Sequence, residues 1–351
     1  MLDWFTGVIG CDASNLETDR VCRIEPTGRI AWESSCWFDC KGSFEESIQL
    51  RQSSLGGKVL DGTGQYLHTL GYPLLQMSGN PVKFLQGHNA FGPPVSLWRP
   101  VVAETLRHLP DSVRPADQAD GVSFIMWPSR IDIAVSVDMG SYQNVRDWLR
   151  CTGSSSRSRH GRAMVSGDTV YWGQHSRRWS LKSYGKFDEM GVHRMGDLRL
   201  NEEFRQSIKS ILRIELTLRS LELRDLEKKG IELSESLLWD YLGNKVTIGR
   251  LNQERVRELD VLRLPHQAVF LRWLKGEEVA KILRVSTFYR YRRIILDNFG
   301  VDIAIPCQDQ ESMLERVQFD FNYLREHEVK QAPDVFAGRL IDPARLSFGD
   351  S

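Results

Sequence analysis

Hydrophobic and polar residues alternate cleanly in three stretches of the chain. In RIDIAVSVD, Ile131, Ile133, Val135 and Val137 share one face, while Arg130, Asp132, Ala134, Ser136 and Asp138 share the other. In ILRIELTLRS, Leu212, Ile214, Leu216 and Leu218 oppose Arg213, Glu215, Thr217 and Arg219. In WSLKSYGK, the polar face carries Lys182, Tyr184 and Lys186. A period of two belongs to a strand with one face in the core. The pattern therefore predicts strands over 124–138 and 211–223, and two strands within 169–186 joined by a turn near Gly173–Ser176.

Helical spacing lies between them. VSLWRPVVAETLRHL predicts a helix starting near Pro94 or Pro100, with Leu97, Val101, Leu106 and Leu109 inward. SYQNVRDWLR predicts a helix capped by Ser141, and 200–210 another with Asn201 as its cap. Residues 1–90 show short alternating runs such as VCRI and GRIAW, which read as strands and hairpins. Between Cys151 and Gly167, CTGSSSRSRHGRAMVSG reads as a flexible basic loop. From Ser234 the pattern is helical to about residue 300. This order predicts an α+β domain over 1–225, a helical region over 226–305 and an acidic tail over 306–351.

Composition adds limits more than direction. With 351 residues, 26% charged and 41% hydrophobic, the chain has the make-up of a soluble globular protein of one large domain or two. No apolar run approaches the ~20 residues of a membrane span, and the first residues lack a signal-peptide pattern. The expected setting is the cytoplasm, with no membrane partner. Six cysteines without a CxxC pair read as free thiols, since Cys36 and Cys40 alone give a weak zinc signal. Net charge is zero, but the charge is unevenly placed. Residues 151–186 hold seven Arg/Lys against Asp168 alone, and 281–293 hold five against no acid. Residues 302–351 reverse the sign, with ten acids against five bases.

If the three alternating strands share a sheet, its polar side gathers Asp132, Glu215, Tyr184, Lys186 and Arg213. Two carboxylates, a phenol and a lysine suit phosphodiester chemistry. Carboxylate oxygens bind Mg²⁺ or Mn²⁺, which withdraws charge from a phosphate. A tyrosine hydroxyl forms covalent intermediates, but with an ordinary pKa of ~10 it needs a base, cation or metal to help it. Each residue alone equally suits a solvated strand face or a cross-strand ion pair. In PVKFLQGHNAFG, His88 and Asn89 sit between Gly87 and Gly92, and a lone histidine there suits a structural hydrogen-bonding role more often than that of a neutral nitrogen in a mixed His/carboxylate metal site.

Five stretches in one order carry a resemblance: PVKFLQGHNAFG, PSRIDIAVSV, RWSLKSYGKFDE, ILRIELTLRS and VSTFYRYRRIILDNFGV. Together they resemble the gene II/gene X replication initiators of filamentous phages, relatives of the HUH nicking enzymes. The resemblance implies an antiparallel-sheet nickase domain with helices on one face, followed by a helix-turn-helix domain. It implies nicking of one strand of circular double-stranded phage DNA at the origin, attachment to the 5′ phosphate through a tyrosine, and later rejoining of the displaced strand. Carried over by position, Tyr184 is the nucleophile and Lys186 accompanies it. Asp132, Glu215, His88 and Glu189 become the candidate ligands of Mg²⁺ or Mn²⁺. The HUH class offers two histidines around a hydrophobic residue, whereas here His88 stands alone in its motif. Rolling-circle synthesis from such a nick implies host helicase and polymerase as partners beside the origin DNA.

Residues 276–299 add a helix-turn-helix pattern, with Arg284-Val285-Ser286 as the turn and Ser286 as N-cap of the second helix. Thr287, Tyr289, Arg290 and Arg293 are the candidates to meet DNA there. Arg157, Arg159 and Arg162 of the basic loop, with Lys182 and Arg213 beside the tyrosine, are the other candidate DNA contacts. Two further readings fit the same residues: a non-catalytic origin-binding regulator, and a metal-dependent nuclease that cuts with water.

Overall fold

The computed structural model describes residues 1–44, 46–53, 58–60, 66–69, 72–115, 125–192, 201–248, 262–299, 301–305, 307 and 321–346. The first strands are β1 (Leu2–Asp12), β2 (Arg20–Ile24), β3 (Ile30–Ser35), β4 (Phe38–Lys41), β5 (Ser47–Gln52), β6 (Lys58–Leu60), β7 (Tyr66–Thr69) and β8 (Leu74–Gly79). Helices α1 (Pro81–Gln86) and α2 (Trp98–Arg107) lead to the long strand β9 (Met126–Asp138) and helix α3 (Tyr142–Ser155). Short strands β10 (Ser156–Ser158), β11 (Gly161–Arg162), β12 (Met164–Ser166) and β13 (Thr169–Trp172) precede β14 (Trp179–Gly185). Then come α4 (Lys186–Val192), α5 (Glu202–Ser207), β15 (Ile211–Arg219), α6 (Ser220–Lys228), α7 (Glu235–Lys245) and β16 (Val246–Ile248).

A nine-stranded antiparallel sheet with order β12-β13-β14-β15-β9-β1-β8-β5-β4 organises the chain. The three alternating stretches are its centre, in the order β14, β15, β9. Their apolar faces, with Leu2, Phe5 and Ile9 of β1, build the main core against Val101 and Leu106 of α2, Trp148 of α3 and Leu238 of α7. Phe5 stacks on Trp98 at 5.8 Å. Each such buried side chain contributes about 1.5–3 kcal/mol, so the apolar face fixes the register of its neighbours. Asn201 and Ser141 cap their helices as their side chains predict, accepting from the N–H groups of Phe204 and Asn144.

Three expectations are corrected. Residues 151–167 are not one flexible loop, because α3 continues to Ser155 and β10 to β12 follow at once. Lys186 is not on the strand. The ladder ends at Gly185 and Lys186 opens α4, which turns its side chain inward. The turn expected at 284–286 falls earlier, at Leu283 and Arg284. Helices α8 (Leu264–Leu274), α9 (Val279–Ile282) and α10 (Val285–Phe299) close on Phe270, Trp273, Val279, Phe288 and Ile295, a core separate from the main one. Leu283 is extended and the Phe288 N–H donates to the Arg284 carbonyl, so Ser286 lies inside the first turn instead of capping it.

In the tail, helix α11 (Phe321–Glu326) leads into a segment that pairs with the end of β9. The Val329 N–H donates to the Ser136 carbonyl at 2.8 Å and the Asp138 N–H to the His327 carbonyl at 3.1 Å. Phe336 is fully buried. Leu314, Val317 and Phe319 of the tail lie outside the described residues.

Candidate active site

The polar side of the central sheet can be followed row by row. Tyr184 stands opposite Arg213, which stands opposite Ser136; Lys182 stands opposite Glu215; Thr217 stands opposite Asp132. These residues therefore share a face, as the alternation requires. This face is not simply solvated at its centre. Arg213, Glu215 and Lys186 are fully buried, and Tyr184 is 6% exposed.

The Tyr184 hydroxyl donates to Glu215 Oε1, and Lys182 Nζ lies 2.6 Å from Glu215 Oε2. Burial first, then the negative charge of Asp3, pushes the Glu215 carboxyl up to about 7, against the pull of Lys182 and Arg213. Lys182 moves the other way: burial would lower it, but Glu215 and Asp3 hold its pKa above the ordinary lysine value. Desolvation wins on the enclosed carboxyl and loses on an ammonium that is 33% exposed. Burial, followed by the charges of Glu215, Glu189 and Asp3, holds the Tyr184 phenol well above its ordinary pKa. Tyr184 is thus a neutral phenol hydrogen-bonded to a group able to take its proton near neutral pH.

Asp3 was not legible in the alternation. A bulge in β1 makes it the extra residue, because Leu2 pairs with Ile133 while Trp4 pairs with Asp132. Its Oδ1 accepts from Asn89 Nδ2 at 2.8 Å and from Arg213 Nη2 at 3.3 Å. Burial would raise its carboxyl, but Arg213, Lys182 and Lys186 pull it down to about 2. Asn89 was also passed over. An acceptor-only carboxylate turns the Asn89 amide nitrogen toward Asp3 and leaves Oδ1 to accept from Lys186 Nζ at 2.8 Å. Lys186 also pairs with Glu189 at 2.7 Å.

Two expected roles are corrected. His88 does not reach the carboxylates. It is fully buried, edge-on to Phe336 at 5.2 Å and Phe204 at 6.0 Å, and burial, aided by the charge of Lys186, pushes it down to about 4. Gly87, at φ +81°, turns the chain after α1 so that Asn89, one residue on from His88, faces the site. Arg213 is not a surface DNA contact. Its Nη1 donates to the Ala90 carbonyl and Ser136, and its Nη2 to the Asn89 carbonyl.

The four expected metal ligands do not converge. Asp132 is gripped by Arg130 Nε and Nη2 at 2.9 and 2.6 Å, Glu215 by Tyr184 and Lys182, and Glu189 by Lys186. Among the described residues no three His, Cys, Asp or Glu side chains stand close enough to share a metal ion.

Elsewhere, Arg157, Arg159 and Arg162 are exposed, and Arg162 reaches the Arg293 carbonyl and Asp297 of α10. On α10, Tyr289 and Arg290 are exposed, Arg293 is exposed with its guanidinium 3.8 Å from Asp297, and Thr287 is half-buried at the start of the helix.

A family model for the N-terminal region of the phage replication-associated protein encoded by gene II matches residues 1–238. The chain belongs to this replication-associated protein family. The match agrees with the gene II resemblance carried by the five motifs. The replication-associated protein of the same name from Enterobacteria phage I2-2 is 29% identical over 323 residues, covering 87% of this chain and 88% of its own. Among solved structures, a rolling circle replication initiator protein from Geobacillus stearothermophilus aligns over 72% of this chain and 87% of its own, at 12% identity and a TM-score of 0.32. Within the matched region lie the whole central sheet, Tyr184, Glu215, Asp132 and the GHN loop. The helices α8 to α10 lie beyond it. No described helix is long and apolar enough to cross a membrane.

Proposed function

We propose that this chain initiates rolling-circle replication by nicking one strand of the double-stranded phage origin through Tyr184 and later rejoining the displaced strand. The observation that carries the proposal is the Tyr184 hydroxyl donating to a buried Glu215 whose carboxyl is poised near neutrality. In the forward step Glu215 takes the phenolic proton as the Tyr184 oxygen bonds to the scissile phosphorus. The bond from phosphorus to the 3′ oxygen breaks, and that oxygen takes up a proton to leave as a 3′-OH. A 5′-phosphotyrosine remains, so attack by a 3′-OH reverses the step and seals a strand without another energy source. Lys182 keeps Glu215 oriented beneath the phenol. Lys186, 6.0 Å from the Tyr184 ring, places a cation beside the developing phosphate charge.

Mg²⁺ or Mn²⁺ dependence is part of the proposal, with Asp132, on the strand beside that of the Glu215 base, as the candidate ligand. Such binding requires Arg130 to release it, so no step is assigned to the ion. Origin duplex is proposed to meet Arg290, Arg293 and Tyr289 of α10, with Arg157 and Arg159 along the same flank; host helicase and polymerase act after the nick.

The test incubates supercoiled phage-origin DNA with the protein and Mg²⁺, then denatures the sample. The expected product is a nicked circle with protein on its 5′ end. Nicking without attachment supports cutting by water, and binding without nicking supports a regulator; either outcome overturns the proposal.

A further inference from the structure

The polar side of the sheet continues well past the tyrosine. Arg219 stands opposite Arg130, Arg130 opposite Thr6, Thr6 opposite Ser78 and Ser78 opposite Gln49. One row further, Trp127 stands opposite Val8, Val8 opposite Gln76 and Gln76 opposite Arg51. Ser180, Lys182, Arg219, Arg130, Trp4, Trp127 and Arg51 are all half-buried, unlike the enclosed centre around Arg213.

This strip pairs aromatic rings with guanidinium groups. The Arg130 guanidinium lies 5.3 Å from the Trp4 ring, and that of Arg51 lies 4.3 Å from the ring of Trp37, which is 36% exposed. Arg51 Nε is braced by Gln76 Oε1 at 2.8 Å, and Trp4 Nε1 by Thr6 Oγ1 at 3.0 Å. From β14 to β4 the strip carries Lys41, Arg51, Arg130, Lys182 and Arg219 against Asp39, Asp132 and Glu215, and the last two acids are already engaged by Arg130 and Lys182. At ~4.8 Å per strand it spans roughly 29 Å, enough for several nucleotides.

We propose that this strip is a platform for single-stranded DNA, on which the bases of the strand flanking the nick stack on Trp4, Trp127 and Trp37 while Arg51 and Arg219 hold phosphates. Flat rings beside fixed cations suit unpaired bases, because every base has a face to stack and every linkage has a charge. A duplex offers only its phosphates to such a surface, and an apolar protein partner leaves the guanidinium groups unsatisfied. Continuity favours the same occupant: Lys182 closes the strip at one end and pairs with the carboxylate that holds the Tyr184 hydroxyl. The inference rests on the proposed nicking function, because it names the strand that function must hold.

The test measures binding of a short oligodeoxythymidine by fluorescence anisotropy, in a Tyr184→Phe background so that chemistry plays no part. Trp127→Ala, Trp37→Ala and Arg51→Ala are expected to weaken it about fivefold to a hundredfold each. Trp127→Phe, which keeps a ring, restores most of the loss, and melting temperature and duplex binding stay at the parent value. Unchanged oligonucleotide affinity in the alanine variants overturns the inference, as does an equal loss of duplex affinity. If the otherwise wild-type protein forms no covalent adduct while the alanine variants lose single-strand binding, the nicking reading fails and the platform stands. If the adduct forms and the variants bind like their parent, the platform fails and the nicking reading stands.

Discussion

Glu215→Gln separates the chemistry of the site from its stability. Gln keeps the size of the side chain and an oxygen for the Tyr184 hydroxyl, but it cannot accept a proton. General-base contributions are typically ~10²–10⁴-fold, so adduct formation should fall by about that factor while origin affinity holds. In the wild type, loss of the proton from Glu215 makes that rate rise with pH through about 7. The stability effect follows from the same carboxyl, whose folded pKa is about 7 against an ordinary 4.5. A raised folded value means that the folded state holds the proton more tightly. The stabilisation is complete below about 4.5 and is lost as pH rises through about 7. About 2.5 pKa units at 1.36 kcal/mol each is on the order of 3 kcal/mol. The stability of Glu215→Gln relative to wild type should therefore improve by roughly that amount between pH 5 and pH 8. Urea unfolding at four pH values gives this difference, and adduct time courses give the rate. An undiminished adduct rate refutes Glu215 as the base. A wild-type-minus-variant stability difference that is the same at pH 5 and pH 8 refutes its titration near neutrality.

Other perturbations address the neighbouring parts. Asn89→Ala leaves the buried ammonium of Lys186 with Glu189 alone and removes a donor from Asp3, so denaturant unfolding should show a loss of about 2–3 kcal/mol. Arg290→Ala and Arg293→Ala should weaken origin duplex binding for specific and unrelated sequences alike. Each should lower the slope of log affinity against log salt by about 0.9 in a filter-binding titration. Chelation with EDTA should abolish adduct formation, and added Mg²⁺ or Mn²⁺ should restore it; Asp132→Asn should raise the cation concentration needed for half-maximal rate.

The central strands were readable because their period is strict and one face is wholly apolar. Ile131 to Val137 and Leu212 to Leu218 fall on the core side as the alternation requires, and pairing then brings Asp132, Glu215 and Tyr184 onto one face. What failed was the assumption that a polar face is a wet one. Arg213 lies under the backbone of Asn89 and Ala90, so its charge serves internal carbonyls. Asp3 depended on a bulge, and a bulge leaves no mark in a residue pattern as short as LDWF. The GHN motif pointed to the right loop but to the wrong side chain. Which of two adjacent residues faces the site is set by the left-handed turn at Gly87 and by the aromatic pocket of Phe204 and Phe336, distant in sequence. Lys186 was misplaced by the same limit of local reasoning, because strand alternation gives no sign that the ladder stops at Gly185.

The most direct measurement of the account is the identity of the residue joined to DNA. After nicking of origin DNA, nuclease digestion and proteolysis leave a short nucleotide on one peptide, which mass spectrometry locates among the nine tyrosines of the chain. The account predicts that the nucleotide is on Tyr184 and that Tyr184→Phe abolishes the adduct. A free 5′ phosphate with no labelled peptide, or a label on another tyrosine, contradicts it.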